Sequence, residues 1–158
     1  GVVAQIAGKD GCARFIAGYQ NNDESGATFD CSEIFADADE SVARKEAGRR
    51  ADGLAEHAAE LEREYNAAWR AGCDWRDLKE QEEQTRRETL ELLKERKRIL
   101  ALGDSAGSIA CQYIKKQAAR AVDEIRDSRE KRDSMWRDIP RALESAFCDG
   151  ADLESAPA

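Results

Sequence analysis

Residues 47–68 read AGRRADGLAEHAAELEREYNAA, and this stretch decides the predicted fold. Its apolar residues recur at alternating steps of four and three, which is the spacing of a coiled-coil seam. The seam consists of Ala47, Ala51, Leu54, Ala58, Leu61, Tyr65 and Ala68. Because most of these side chains are small, two helices can approach each other closely along the seam. The pattern predicts tight antiparallel helix packing.

Capping and helix-ending signals on both sides of this stretch predict further long helices. Asp30 or Ser32 can cap the first helix, and Ala71-Gly72-Cys73-Asp74 has the chemistry of a turn. A second break is predicted at residues 103–107, and Pro140 restarts the last helix. The predicted helices are 31–70, 75–102, 108–139 and 141–147. The predicted fold class is all-α: an elongated antiparallel helical hairpin or three-helix bundle with coiled-coil-like, alanine-rich seams.

The second and third predicted helices carry seams of their own. The second seam reads Trp75, Leu78, Thr85, Thr89, Leu92 and Ile99. Glu82 and Arg96 interrupt it in the same register. The third seam reads Cys111, Ile114, Ala118, Ala121, Ile125, Ser128, Arg132, Met135 and Ile139, and it weakens towards its end.

The two ends of the chain differ from this helical middle. Residues 1–30 contain several glycines and turn-forming residues, so they are predicted to form an irregular N-terminal arm. Residues 148–158 are predicted to be a disordered acidic tail. The predicted helical bundle therefore covers residues 31–147.

The net charge of −8 is unevenly distributed, because residues 15–43 carry seven acidic and no basic side chains. This balance argues against nucleic-acid binding, which needs a basic face. It favours a basic protein partner, or else charges that only solvate flexible ends. Self-association is a further alternative, since helical seams close within one chain or between chains. The candidate acidic partner-binding residues are Asp23, Glu24, Asp37, Asp39 and Glu40.

Five cysteines are many for a helical chain of this length. They are Cys12, Cys31, Cys73, Cys111 and Cys148, and none has the spacing of a zinc site. They predict structural disulfides, with one thiol left over, and a periplasmic or secreted location. A virion or another large assembly is the alternative. The first residue, Gly1, fits a chain matured by removal of a signal peptide as well as a trimmed chain.

The sequence offers no pattern typical of catalysis. His57 is the only histidine, and no nucleophile elbow, phosphate loop, dinucleotide fingerprint or calcium loop is present. We therefore predict no enzymatic activity, no metal and no cofactor. Trp69, Trp75 and Trp136 are predicted to gather at one end of the bundle. There they are either partner-binding hot spots or a plug for the end of a thin core.

Several short motifs together resemble a known family. They are Ala27-Thr28-Phe29-Asp30-Cys31, the spacing Leu54, Leu61, Tyr65, the run Glu83-Gln84-Thr85-Arg86-Arg87, and Cys111 with Tyr113. This set is similar to the secreted lysozyme-inhibitor LprI-like domain. The resemblance implies a small, disulfide-stapled helical domain without catalytic activity. It also implies an extracytoplasmic module that binds a lysozyme-type cell-wall hydrolase.

A second function fits the same sequence. An alanine-rich seam buries little apolar area per residue, so thin helices gain stability by packing against neighbours. The alternative is therefore a structural or assembly protein, such as a phage or secretion-machine component. It would pack through helical coiled-coil contacts with itself or with partners.

The longest apolar stretch is far too short for a membrane span of roughly 20 residues.

Overall fold

The computed structural model describes residues 1–7, 13–21, 26–102, 105–154 and 157. Its strands are β1 (Val2–Ile6), β2 (Arg14–Gln20) and β3 (Ala27–Ala36). Its helices are α1 (Glu40–Leu102), α2 (Ser105–Arg137), a 3₁₀ turn (Arg141–Leu143) and α3 (Glu144–Ala151). The predicted all-α class and three-helix bundle are therefore wrong. The chain instead combines a small antiparallel sheet, one very long helix and two shorter helices.

Most of the sheet lies in residues 1–30, where the sequence predicted an irregular arm, and β3 continues to Ala36. Its strand order is β1-β2-β3, and both pairings are antiparallel. Gly18 lies within β2. Glycine is needed there because a side chain would overlap the carbonyl oxygen of Thr28 on β3. Gly26 has a φ of 110°, and its carbonyl oxygen accepts the amide of Asn21 at 2.9 Å. Gly18, which suggested irregular backbone, therefore serves strand pairing, and Gly26 takes a positive φ just before β3.

Helix α1 begins at Glu40 rather than at the predicted residue 31, because residues 31–36 belong to β3. Asp39 is the capping residue: its side chain accepts the amide of Ser41 at 2.9 Å, and its carbonyl accepts the amide of Val42. The hydrogen bonds from Ser41 hold the pKa of Asp39 below the ordinary 3.8. Both predicted caps, Asp30 and Ser32, lie in β3, and Asp30 pairs with Arg50 on α1 at 3.1 Å.

The chain divides into two compact units, Gly1–Glu64 and Tyr65–Ala158, and α1 contributes to both. The core of the N-terminal unit forms where α1 packs on the sheet. Ala43 and Ala47 are fully buried against Phe15 of β2, with Val3 and Phe35 packed around them. The small residues at the start of α1 therefore do allow close packing, but their partner is a sheet rather than a helix.

The predicted turn at residues 71–74 is also wrong, because α1 runs through it without a break. In the C-terminal unit α1 and α2 run antiparallel, as the contacts of Cys111 with Arg96 and of Arg129 with Glu82 establish. All nine positions of the seam predicted for the third helix are buried or half-buried. Residues 148–151, predicted to belong to a disordered tail, form the second half of α3.

Candidate protein-binding surface

Two glycines allow α3 to cross α1 at very short range. A methyl group on Gly72 of α1 would overlap the carbonyl oxygen of Phe147 and lie 2.8 Å from the amide nitrogen of Ala151. A methyl group on Gly150 of α3 would overlap the carbonyl oxygen of Trp69. Only glycine leaves room for two backbones at this distance. Gly72, which suggested a helix end, is therefore a packing residue inside a continuous helix.

An aromatic cluster fills the space beside this crossing. Phe147 of α3 is fully buried, and its ring centroid lies 6.4 Å from that of Trp75 and 5.2 Å from that of Trp136. Met135 and Ile139 pack against the same cluster. The structure thus brings two of the three tryptophans together around Phe147, with Trp75 buried and Trp136 half-buried. Their burial fixes the position of α3 against α1 and α2.

Two other aromatic rings of α1 remain open to solvent beside α3. Tyr65 is 45% exposed and Trp69 is 44% exposed, and they lie one helical turn apart. The hydroxyl of Tyr65 donates to the Asp149 carboxylate at 3.3 Å. Asp149 and Asp152 are exposed at the end of α3, next to the glycine that contacts Trp69. We call Tyr65, Trp69, Asp149 and Asp152 the aromatic-acidic surface.

The charge of this surface is negative. Residues 142–158 contain four acidic and no basic side chains. Burial, together with the charges of Asp149 and Glu144, raises the pKa of the Cys148 thiol. The thiol is therefore protonated and a poor nucleophile at neutral pH. The arrangement suits noncovalent binding of a cation rather than chemistry at sulfur.

A buried carboxylate holds α2 against α1 within the same unit. Glu82 of α1 is only 6% exposed, and it accepts hydrogen bonds from Arg129 and Arg132 of α2. Arg86 completes the network at 3.0 Å, and the Arg132 guanidinium lies 5.0 Å from the centre of the Trp75 ring. Glu82 and Arg132 are charged residues that interrupt two apolar seams of the sequence, and in the structure they form an ion pair with each other. Opposite charges at facing seam positions were the signal in the sequence.

The Glu82 network makes the stability of the C-terminal unit depend on pH. Burial alone would raise the pKa of Glu82, but the Arg129 hydrogen bond and the charges of Arg132, Arg129 and Arg86 outweigh it and hold the pKa below the ordinary 4.5. A carboxyl with a depressed pKa stabilises the fold above its unfolded pKa and loses that contribution as the pH falls. The stability difference between wild type and Glu82→Gln should therefore be full at neutral pH and shrink below pH 4.5. Urea unfolding of both proteins at neutral pH and below pH 4.5 measures this stability difference. A difference that does not change with pH would contradict a depressed pKa for Glu82.

The acidic residues predicted to bind a partner are not part of the aromatic-acidic surface. Asp37 accepts the amide of Asp39, and Asp39 and Glu40 form the beginning of α1 in the N-terminal unit. Their placement indicates helix capping, in which negative charge favours the positive end of the helix dipole. Asp23 and Glu24 lie outside the described residues.

The prediction of structural disulfides is wrong for the cysteines that the structure describes. Cys31, Cys73, Cys111 and Cys148 are all free thiols, and Cys12 lies outside the described residues. The thiol of buried Cys111 contacts the carbonyl oxygen of Arg96 at 3.7 Å. Since the predicted oxidising compartment depended on disulfides, the periplasmic or secreted location stays a prediction without that support.

The described residues contain no constellation typical of an active site. Among them, no group of three or more His, Cys, Asp or Glu side chains is placed to hold a metal ion, and His57 is exposed. A depression of about 930 Å³ is lined by side chains of α1 such as Leu90 and Leu92. One helix supplies no convergent set of catalytic groups. No helix in the described ranges is long and apolar enough to cross a membrane.

The fold and this surface define a protein of mixed α and β structure with an exposed aromatic-acidic surface. Comparison of the chain with family models, with characterised proteins and with solved structures found no match. These comparisons therefore neither support nor oppose the LprI-like resemblance.

Proposed function

We propose that this chain is a non-enzymatic protein-binding module that binds a basic protein at its aromatic-acidic surface. The observation that carries the proposal is the pair Tyr65 and Trp69, nearly half exposed beside the carboxylates of α3. Tryptophan and tyrosine are enriched at energetic hot spots of interfaces. Arginine and lysine bind aromatic faces and carboxylates together, so a basic partner matches both parts of the surface.

The size of the surface and the close packing of α3 on α1 support this proposal. The exposed parts of the two rings amount to roughly 200 Å², whose burial is worth about 5 kcal/mol before the costs of association. Gly72 and Gly150 hold α3 in place, so binding need not order this segment first. A preformed surface retains more of its gross binding energy.

The resemblance to the lysozyme-inhibitor LprI-like domain suggests a particular basic partner. We propose a lysozyme-type cell-wall hydrolase, whose positive charge would complement Asp149 and Asp152. Electrostatic attraction of this kind accelerates association and weakens as salt is added. The motifs that carry the resemblance include Leu54, Leu61 and Tyr65, and Tyr65 belongs to the proposed surface.

Titration of the whole chain with a purified basic lysozyme, followed by calorimetry, tests this function. We expect a salt-dependent complex that Trp69→Ala weakens by about tenfold or more, since the ring contributes apolar area and a cation-binding face. Tyr113→Ala is the matched control: Tyr113 is an exposed ring on α2, outside the surface, and its loss should leave affinity within about twofold. No complex, or equal affinity of both variants, would contradict the proposal.

A further inference from the structure

One end of the C-terminal unit has a charge opposite to that of the whole protein. Residues 96–122 contain six basic side chains and one acidic side chain, in a chain whose net charge is −8. This range covers the end of α1 and the first half of α2. Lys97, Lys115, Lys116 and Arg120 are all exposed. The proposed lysozyme surface at the end of α3 uses none of these residues.

The same end also exposes large apolar side chains. Leu100 is 56% exposed, Leu102 81%, Ile109 77% and Tyr113 63%. Helix α1 ends at Leu102 and α2 begins at Ser105, so these residues lie at the closed end of the antiparallel hairpin. We call Leu100, Leu102, Ile109 and Tyr113 the hairpin end. Exposure of this much apolar surface in one place indicates a binding site.

The apolar residues of the hairpin end face several directions. At 3.6 residues per turn, Leu100 and Leu102 lie on nearly opposite sides of α1. Ile109 lies two positions before Cys111, a buried residue that faces α1, so Ile109 is on the outer side of α2. A groove on a protein partner covers one face of a helix. A lipid phase surrounds an inserted end, and it therefore fits this distribution better.

The basic residues are placed behind the apolar ones. At about 1.5 Å per residue, Lys97 lies roughly 8 Å back from Leu102, and Lys115 and Lys116 lie roughly 10 Å back from Ile109. These lengths match the depth of about 5–10 Å to which apolar side chains enter the boundary between headgroups and acyl chains. The lysines would then meet anionic headgroups, which attract basic side chains close to the bilayer. Tyr113 lies between the two zones, where amphipathic rings are favoured.

We propose that the hairpin end docks peripherally on an anionic lipid bilayer. The apolar side chains enter the boundary region, and Lys97, Lys115 and Lys116 bind lipid phosphates or other headgroup anions. Docking leaves the helices on one side of the bilayer, in keeping with described helices too polar to cross it. This inference goes beyond the proposed binding of a basic protein and does not depend on it.

Co-sedimentation of the full chain with vesicles tests this proposal. One vesicle contains phosphatidylcholine alone, and the other contains equal parts of phosphatidylcholine and phosphatidylglycerol. We expect binding to the anionic vesicles that weakens at high salt, and little binding to the neutral ones. The double variant Leu102→Glu with Ile109→Glu should lower the apparent affinity by about tenfold or more, because it removes two apolar groups and adds two negative charges.

The double variant Leu90→Glu with Val122→Glu is the matched control. It makes the same charge change at exposed apolar residues of the same hairpin, further from its end. We expect it to retain affinity within about threefold, since charge alone acts weakly at that distance. Circular dichroism verifies that both variants remain folded. Equal losses in both variants, or no binding to anionic vesicles, would overturn the proposal. Binding of soluble polyglutamate without binding of vesicles would also overturn it and assign an acidic protein instead.

Discussion

Replacement of Gly72 by alanine is expected to lower the free energy of unfolding of the C-terminal unit by about 3 kcal/mol. The added methyl group would overlap the carbonyl oxygen of Phe147, which is main chain and cannot swing away. The two helices would have to separate, and the buried contacts of Phe147 would loosen. All three tryptophans lie in this unit, so tryptophan fluorescence during urea unfolding reports on it selectively.

Gly48 and Gly53 provide matched controls within the same helix. A methyl group at either position meets no atom within 4 Å. Since alanine favours a helix over glycine by about 1 kcal/mol, Gly48→Ala and Gly53→Ala should be neutral or stabilising in circular dichroism of the whole chain. Loss of stability in Gly72→Ala no greater than in these controls would show that α3 does not cross α1 at Gly72.

Replacement of Glu82 by glutamine is the second change with a large expected effect. We expect the free energy of unfolding to fall by about 2–3 kcal/mol at neutral pH, because Arg132 and Arg129 would lose the charge that neutralises them. Arg132 is largely buried and lies over the Trp75 ring, so it cannot recover full hydration without moving. Urea unfolding followed by tryptophan fluorescence measures this loss.

Glu83→Gln is the control for the charge change itself. Glu83 pairs with Arg87 at 3.7 Å, and both side chains are more than half exposed. Exposed pairs of this kind contribute little, so the substitution should change the unfolding free energy by no more than about 0.5 kcal/mol. If Glu82→Gln were equally mild, the buried network would not be what holds α2 against α1.

Helical periodicity predicted helix in the stretches that form α1 and α2, but it placed a false break inside α1, where glycine has a tertiary role. The seam of α2 could be read from the sequence, since a buried stripe must recur at helical spacing. The role of Gly72 could not be predicted from its neighbours in the sequence. Glycine is needed there because the carbonyl oxygen of Phe147, which is distant in sequence, leaves no room for a side chain. The strands were missed for a related reason. Gly18 accommodates Thr28 of a neighbouring strand, and a glycine read alone indicates only a break.

The candidate surface was predictable only in part. Tryptophan is enriched at binding hot spots, so the sequence indicated Trp69, Trp75 and Trp136 alike. A sequence cannot tell which of the three rings will pack against α3. Phe147 decides this, because it packs against the rings of Trp75 and Trp136 and leaves Trp69 exposed. The prediction of disulfides failed because it was based on the number of cysteines. A disulfide also requires that the Cα atoms of two cysteines lie within a narrow distance range, which the number of cysteines does not show.

Hydrogen–deuterium exchange of the whole chain, alone and with a basic lysozyme, tests whether α1 and α3 together form the binding surface. We expect slower exchange on binding in two segments, around Tyr65 and Trp69 of α1 and around Asp149 of α3, with no change in β3. Protection of β3 or the hairpin end instead of these two segments, or no protection anywhere at saturating lysozyme, would contradict it.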